Sequence, residues 1–168
     1  MPSRTGYLGL GSNVGDPRAN LAEAVTRLDA ASVAVEAVSS LYATEPVGEI
    51  LDQPDFLNAA ARVVTDLEPE ALLDVCKEIE LEMGRDPDAP RHAPRPVDID
   101  LLLLGDLELE TERLALPHRE VSTRRFVLVP LLDLDPELAL PDGTALADCL
   151  ATLADDEQRV EPAGELER

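Results

Sequence analysis

Residues 97–105 read VDIDLLLLG, an apolar run of strand length broken only by Asp98 and Asp100. Successive strand side chains alternate faces, so the two aspartates share one face while Val97, Ile99 and Leu101 take the other. At a rise of about 3.3 Å per residue their carboxylates can stand roughly 6–7 Å apart, enough to flank one or two Mg²⁺ ions. Two carboxylates beside a row of leucines are unfavourable to bury unless a cation or an arginine compensates them. Taken alone, the pair also fits two solvated aspartates on an edge strand, or the metal site of a sugar-nucleotide transferase or polymerase. Its neighbours have to decide.

The nearest neighbour is RDPDAPRHAPRP, residues 85–96, whose four prolines and three arginines exclude a helix or a central strand. A long basic loop follows, and it brings Arg85, Arg91 and Arg95 towards any phosphate held at the aspartates. Arginine beside Mg²⁺ is a general means of stabilising charge on a transferring phosphoryl group. Taken separately, these arginines could merely balance Asp86 and Asp88.

Charge points the same way. The chain has 35 acidic and 14 basic residues and a formal net charge of -21, which repels nucleic acid and anionic membrane. Lys77 is its single lysine, and an acid-rich, lysine-poor surface suits solubility in concentrated salt. Seven of the thirteen arginines nevertheless fall between positions 85 and 125, so an acidic protein concentrates its positive charge as if for an anionic ligand.

The 168 residues suit one domain over 1–154 with an acidic, disordered tail at 155–168. The start of the chain lacks the apolar core of a signal peptide and no apolar run is long enough to span a bilayer, which leads to a cytoplasmic expectation. Cys76 and Cys149 share no metal-binding spacing and read as buried, helix-borne thiols. Residues 5–10 read as a strand, GSNVG as a turn, and Asp16-Pro17 as the cap and first position of a helix carrying Leu21, Val25, Leu28 and Ala31. Strands follow at 33–43 and 57–65, then a helix over 69–83 with Leu72, Cys76, Ile79 and Met83 inward, stopped by Gly84. After the strand at 97–105 come a short strand near 108–114, a helical segment from Ser122 interrupted near Pro130, and a last helix over 144–153. The order β-α-β-β-α-β predicts an α+β fold: a ferredoxin-like α/β sandwich with a central, mostly antiparallel sheet, helices on both faces and extra C-terminal helices.

Gly9-x-Gly11 with Gly15 resembles a dinucleotide fingerprint, but its last glycine is one position late and the strands that follow read as a hairpin. His118 alone fits either a phosphate donor or a surface histidine. No catalytic triad or candidate nucleophile is visible.

Taken in order, GLGSNVGD (9–16), LYATEPVG (41–48), QPDFLNA (53–59), IELEMGR (79–85), PRPVDIDLLLLG (94–105), LPHRE (116–120) and RRFVLVPLLDLDPEL (124–138) closely resemble the 6-hydroxymethyl-7,8-dihydropterin pyrophosphokinase family of folate biosynthesis. The resemblance implies a monomeric enzyme that binds two Mg²⁺ on Asp98 and Asp100 and uses ATP as co-substrate. ATP would be held by Lys77, Glu80, Arg85, Arg91, His92, Arg95, Arg113, His118, Arg119 and Arg124, with Arg85 and Arg95 joining the aspartates in catalysis. The pterin would lie between Phe56 and Phe126, with Asn58 on its polar edge and the backbone of Thr44, Pro46 and Val47 beside it. Core packing of the two phenylalanines is the plainer alternative. The sequence departs from the family pattern at His92, where an aromatic, often tryptophan, is usual, and at Pro87, where a basic residue is usual. Arg119 stands where tyrosine is common. A pterin- or nucleotide-binding module without transfer activity is the second reading.

Overall fold

The computed structural model describes residues 3–45, 55–84, 96–153 and 159–166. Strand β1 (Arg4–Ser12) runs two residues further than its apolar alternation predicts, through Gly11, assigned above to a turn. Leu8 and Leu10 point to one face of the sheet and Tyr7 to the other. Helix α1 (Pro17–Ala30) starts as expected: Asp16 accepts the Ala19 N–H at 3.2 Å, and Pro17 occupies the first turn, where its missing N–H is harmless. It buries Leu21, Ala24, Val25 and Leu28.

The strand predicted over 33–43 is two strands, β2 (Ala34–Val38) and β3 (Ser40–Thr44). Ser39 breaks it. Its backbone N–H donates to the Ala60 carbonyl, but the Ala60 N–H donates to the Ser39 hydroxyl oxygen, both at 2.9 Å, so a side chain replaces one rung of the ladder. Both strands pair with β4 (Phe56–Thr65), β2 at its far end and β3 at its near end. Helix α2 (Pro69–Glu82) lies beside α1, and Arg27 reaches Glu82 across the pair at 3.0 Å. Strand β5 (Asp98–Leu104) follows.

The strand expected near 108–114 is instead a separate small hairpin of β6 (Leu109–Glu110) and β7 (Ala115–Leu116), because the Thr111 hydroxyl accepts from the N–H groups of Arg113 and Leu114 and turns the chain. Helix α3 (Arg125–Leu134) runs through Pro130 without interruption. Proline removes one donor but is accommodated where packing holds the helix on both sides, here through buried Leu128 and Leu131. Its C-terminal end is tied to the sheet by Asp133, which accepts the Ser40 N–H at 2.7 Å. Helix α4 (Leu146–Ala151) is shorter than predicted.

The tail also differs from expectation. Residues 160–165 form β8 (Val160–Glu165), paired antiparallel with β3, because the outer edge of β3 offers unpaired backbone groups that composition alone does not reveal. The main sheet is ordered β5-β1-β4-β3-β8, with β2 also on β4, and every pairing is antiparallel. One apolar cluster joins α1 and α2 to one face, and a second joins α3 and α4 to the other. Since α3 packs over β4 and β3, the ends of β1 and β5 on that second face stay open. No helix among the described residues is long and apolar enough to cross a membrane.

Candidate active site

The open end of the sheet forms a cleft lined by four strands and the first turn of α3. Asp98 and Asp100 come from β5 on the face opposite Ile99 and Leu101, as the alternation requires; Ile99 and Leu101 are buried in the core. Directly across the ladder from Asp100 and Asp98 stand Gly9 and Gly11 of β1. Their lack of side chains leaves the floor of the cleft bare beside the carboxylates. A Cβ on Gly11 would stand 2.8 Å from Asn58 Oδ1, so that position admits no larger residue without moving the amide. Gly11, read from sequence as part of a turn, and Gly9, read only as part of a strand, are therefore site residues that local patterning missed. A glycine at alternate positions of a strand was the available signal.

Across the floor from the aspartates stand Phe56 and Asn58 of β4 and Thr44 at the end of β3. Asn58 is 8% exposed and its amide nitrogen donates to Thr44 Oγ1 at 2.5 Å, which fixes the direction of the amide. Phe126 and Val127 of α3 close the wall. Phe56 and Phe126 are half-buried and both line the cavity, so neither ring is absorbed into the core. Arg124 lies here too, its guanidinium 5.5 Å from the centre of the Phe126 ring and ion-paired with Glu120.

A second cavity opens at the outer edge of β5, between α2 and the β6–β7 hairpin. It gathers Lys77, Arg113, His118 and Arg119, four of the basic residues singled out by sequence, with Asp100 on its border. Asp100 lines both cavities, which makes it the junction between a ring-walled chamber and a charged one that Glu112 and Glu120 also line. Acidic partners hold the arginines in place: Arg113 pairs with Glu70 at 3.2 Å and with Asp74, and Arg119 with Glu110 at 2.5 Å. The His118 N–H of the main chain donates to the Leu102 carbonyl at 2.9 Å, and the ring Nδ1 accepts the Glu120 N–H at 3.1 Å. That bond leaves the proton of a neutral ring on Nε2, as a donor. Burial lowers the His118 pKa below its ordinary value, with Arg124 adding to the effect and Glu120 and Asp98 opposing it.

Glu80 differs from the expected ligand contact. It is 1% exposed, and its Oε2 accepts the Ile99 N–H at 2.7 Å, while Lys77 Nζ stands 3.5 Å from Oε1. A buried carboxylate spent on the backbone positions the strand between the two aspartates instead of facing the cavity. Cys76 is excluded as a nucleophile, because burial and the neighbouring Glu80 push its thiol up to about 12. Pro46, Val47, Arg85, Arg91, His92 and Arg95 lie outside the described residues.

The 7,8-dihydro-6-hydroxymethylpterin-pyrophosphokinase (HPPK) family matches residues 7–136, a stretch that contains both cavities. The chain belongs to this family. Within HPPK it is similar to the 2-amino-4-hydroxy-6-hydroxymethyldihydropteridine pyrophosphokinase of Methylorubrum extorquens, with 47% identity over 148 residues, covering 88% of this chain and 92% of that one. It is also similar to a folate synthesis bifunctional protein of Arabidopsis thaliana, at 46% identity over 127 residues, where it spans only 26% of the relative's length. A solved HPPK-DHPS in complex with substrates shares the fold at a TM-score of 0.69 and 14% identity, over 90% of this chain and 43% of that chain. HPPK chains thus occur alone and as one part of longer proteins.

Proposed function

We propose that this HPPK transfers a diphosphate group from ATP to 6-hydroxymethyl-7,8-dihydropterin, giving the pterin diphosphate and AMP in folate biosynthesis. The observation that carries the reading is the meeting of two unlike cavities at Asp100, one walled by two rings and a fixed amide, the other carrying Lys77, Arg113, His118 and Arg119 beside Glu112 and Glu120. A flat heterocycle bearing a hydroxymethyl arm fits the first, and a polyphosphate the second. The alternative of a binding module without transfer is not favoured, since both cavities and both aspartates are in place.

Phe56 and Phe126 would sandwich the pterin while Asn58, oriented by Thr44, bonds its polar edge. Arg113, His118 and Arg119 would hold the nucleotide, with Lys77 at the cavity wall and Arg124 reaching it from the ring-walled chamber. Arg85, Arg91, His92 and Arg95, with Pro46 and Val47 on the pterin side, complete the proposed set by family resemblance. The hydroxymethyl oxygen would bond to the β-phosphorus as the bond from that phosphorus to the α,β-bridging oxygen breaks. AMP leaves with that oxygen, and the hydroxyl proton passes to solvent. Such transfer depends on alignment and charge neutralisation more than on a strong base, so no general base is assigned.

Asp98 and Asp100 fit Mg²⁺. Both are oxygen donors on one face of β5 that line the cleft, and a hard cation held by two carboxylates takes its other ligands from water and phosphate oxygens. When bound, two such ions would neutralise charge on the transferring group. We read the chain as a monomeric, cytoplasmic, single-domain enzyme with no nucleic-acid or membrane partner, its domain extending past residue 154 to include β8, and its sheet order as ferredoxin-like.

The test is AMP release by the purified chain with ATP, Mg²⁺ and the pterin alcohol, at low and molar salt, against a control without pterin. Pterin-dependent AMP that is lost on chelation and lost in a folded Asp98→Ala variant is the expected result. AMP formation indifferent to pterin, or none from folded protein, would overturn the proposal.

A further inference from the structure

Strand β8 begins at Val160, beyond the family match that ends at residue 136, yet it is fastened to the ring-walled end of the cleft. It closes the outer edge of β3, with Thr44 opposite Val160 and Tyr42 opposite Pro162. Two arginines secure it. From α1, Arg18 donates to the carbonyls of Ala163 at 2.7 Å and Glu165 at 2.9 Å, straddling Gly164, whose φ of +95° accommodates the register shift in the β3–β8 ladder.

Just before β8, Arg159 joins two points that are distant along the chain. Its guanidinium pairs with Asp55, and its backbone N–H donates to Glu45 Oε1 at 3.1 Å. Glu45 follows Thr44 at the end of β3, and Asp55 precedes Phe56 at the start of β4. Among the described residues the β3–β4 ladder ends at the Thr44–Phe56 pair, and Arg159 links the residue after its last β3 position to the residue before its first β4 position. Thr44, Glu45 and Phe56 all line the cavity.

We propose that Arg159 is a positioning residue for the pterin wall, acting through Asp55 and Glu45 without touching substrate. The proposal rests on the pterin assignment above. An ion pair whose partners are both 46% exposed adds little to global stability, so its effect belongs in ligand affinity, where a small displacement of Phe56 or Thr44 is felt directly.

The experiment compares the full chain with Arg159→Ala, Arg159→Lys, Asp55→Asn and the Arg159→Ala/Asp55→Asn double variant. Expected is a rise of about threefold in pterin KM for Arg159→Ala, with kcat and ATP KM unchanged, partial rescue by lysine, and a double variant no worse than the single ones. An unchanged pterin KM, or equal losses for both substrates together with a fall in Tm, would overturn the positioning role. Titration of the pterin's own fluorescence separates this from the function. A wild-type chain that binds pterin more tightly than Arg159→Ala but never releases AMP would overturn the transfer reading and keep the role of Arg159. A wild-type chain that binds no pterin would overturn both.

Discussion

The carboxylate of Glu80 accepts the backbone N–H of Ile99 at 2.7 Å, so a buried side chain of α2 grips the residue that separates Asp98 from Asp100. Among the described residues strand β5 is the last strand on its side of the sheet, and no described strand pairs with its outward edge. Glu80 supplies the acceptor that this edge lacks, and in doing so it sets the height at which the two aspartates meet the cleft.

Replacing Glu80 with alanine leaves the Ile99 N–H buried without its acceptor, which costs about 1–3 kcal/mol. Turnover should fall along with thermal stability. Glutamine retains a carbonyl acceptor, so Glu80→Gln should keep most of both. Thermal unfolding and AMP release measured on the same preparations check this. Equal losses of ATP affinity in both variants at unchanged Tm would return Glu80 to the nucleotide contacts.

Gly11→Ala and Gly9→Ala should behave differently. The first places a Cβ 2.8 Å from Asn58 Oδ1 and must displace the amide, whereas the second meets nothing closer than the Leu102 side chain at 3.5 Å. Overpacking predicts a stability loss of about 1–3 kcal/mol for Gly11→Ala and little for Gly9→Ala. Both fill the floor of the cleft, so pterin KM should rise in both, about tenfold or more for Gly11→Ala, where the amide is lost as well. Denaturant unfolding beside steady-state kinetics separates the packing effect from the ligand effect.

Burial holds His118 below its ordinary value of 6.5, so the folded chain binds this proton more weakly than the unfolded one. The stability tied to the neutral ring is fully present above the unfolded value, about 6.5, and declines as pH falls from there towards the lower folded value. In metal-free buffer, wild type should lose stability relative to His118→Gln as pH drops from 7 to 5, with a constant difference above pH 7. Urea midpoints across that range measure it, and parallel curves would remove His118 as the cause.

A net charge of -21 on 168 residues predicts strong self-repulsion at low ionic strength. Salt shortens the Debye length from about 10 Å at 0.1 M to about 3 Å at 1 M. The Tm should therefore climb with KCl over that range and beyond. A Tm independent of salt would show that the acidic surface is not limiting stability.

What the sequence by itself determined is local. Alternation in VDIDLLLLG put Asp98 and Asp100 on one face, Asp16-Pro17 started α1, and helical spacing located the buried sides of α1 and α2, because periodicity and capping act within a few residues. The ordered motifs also led to the family. Only the tertiary structure decided which distant segments share a strand edge. It set Gly9 and Gly11 against Asp100 and Asp98, turned Glu80 inward to the backbone of Ile99, divided 34–44 at Ser39, and brought residues 160–165 back to β3. None of these follows from local pattern, since register between remote strands and the partner of a buried carboxylate are settled by which edges and donors remain unsatisfied once the core has packed.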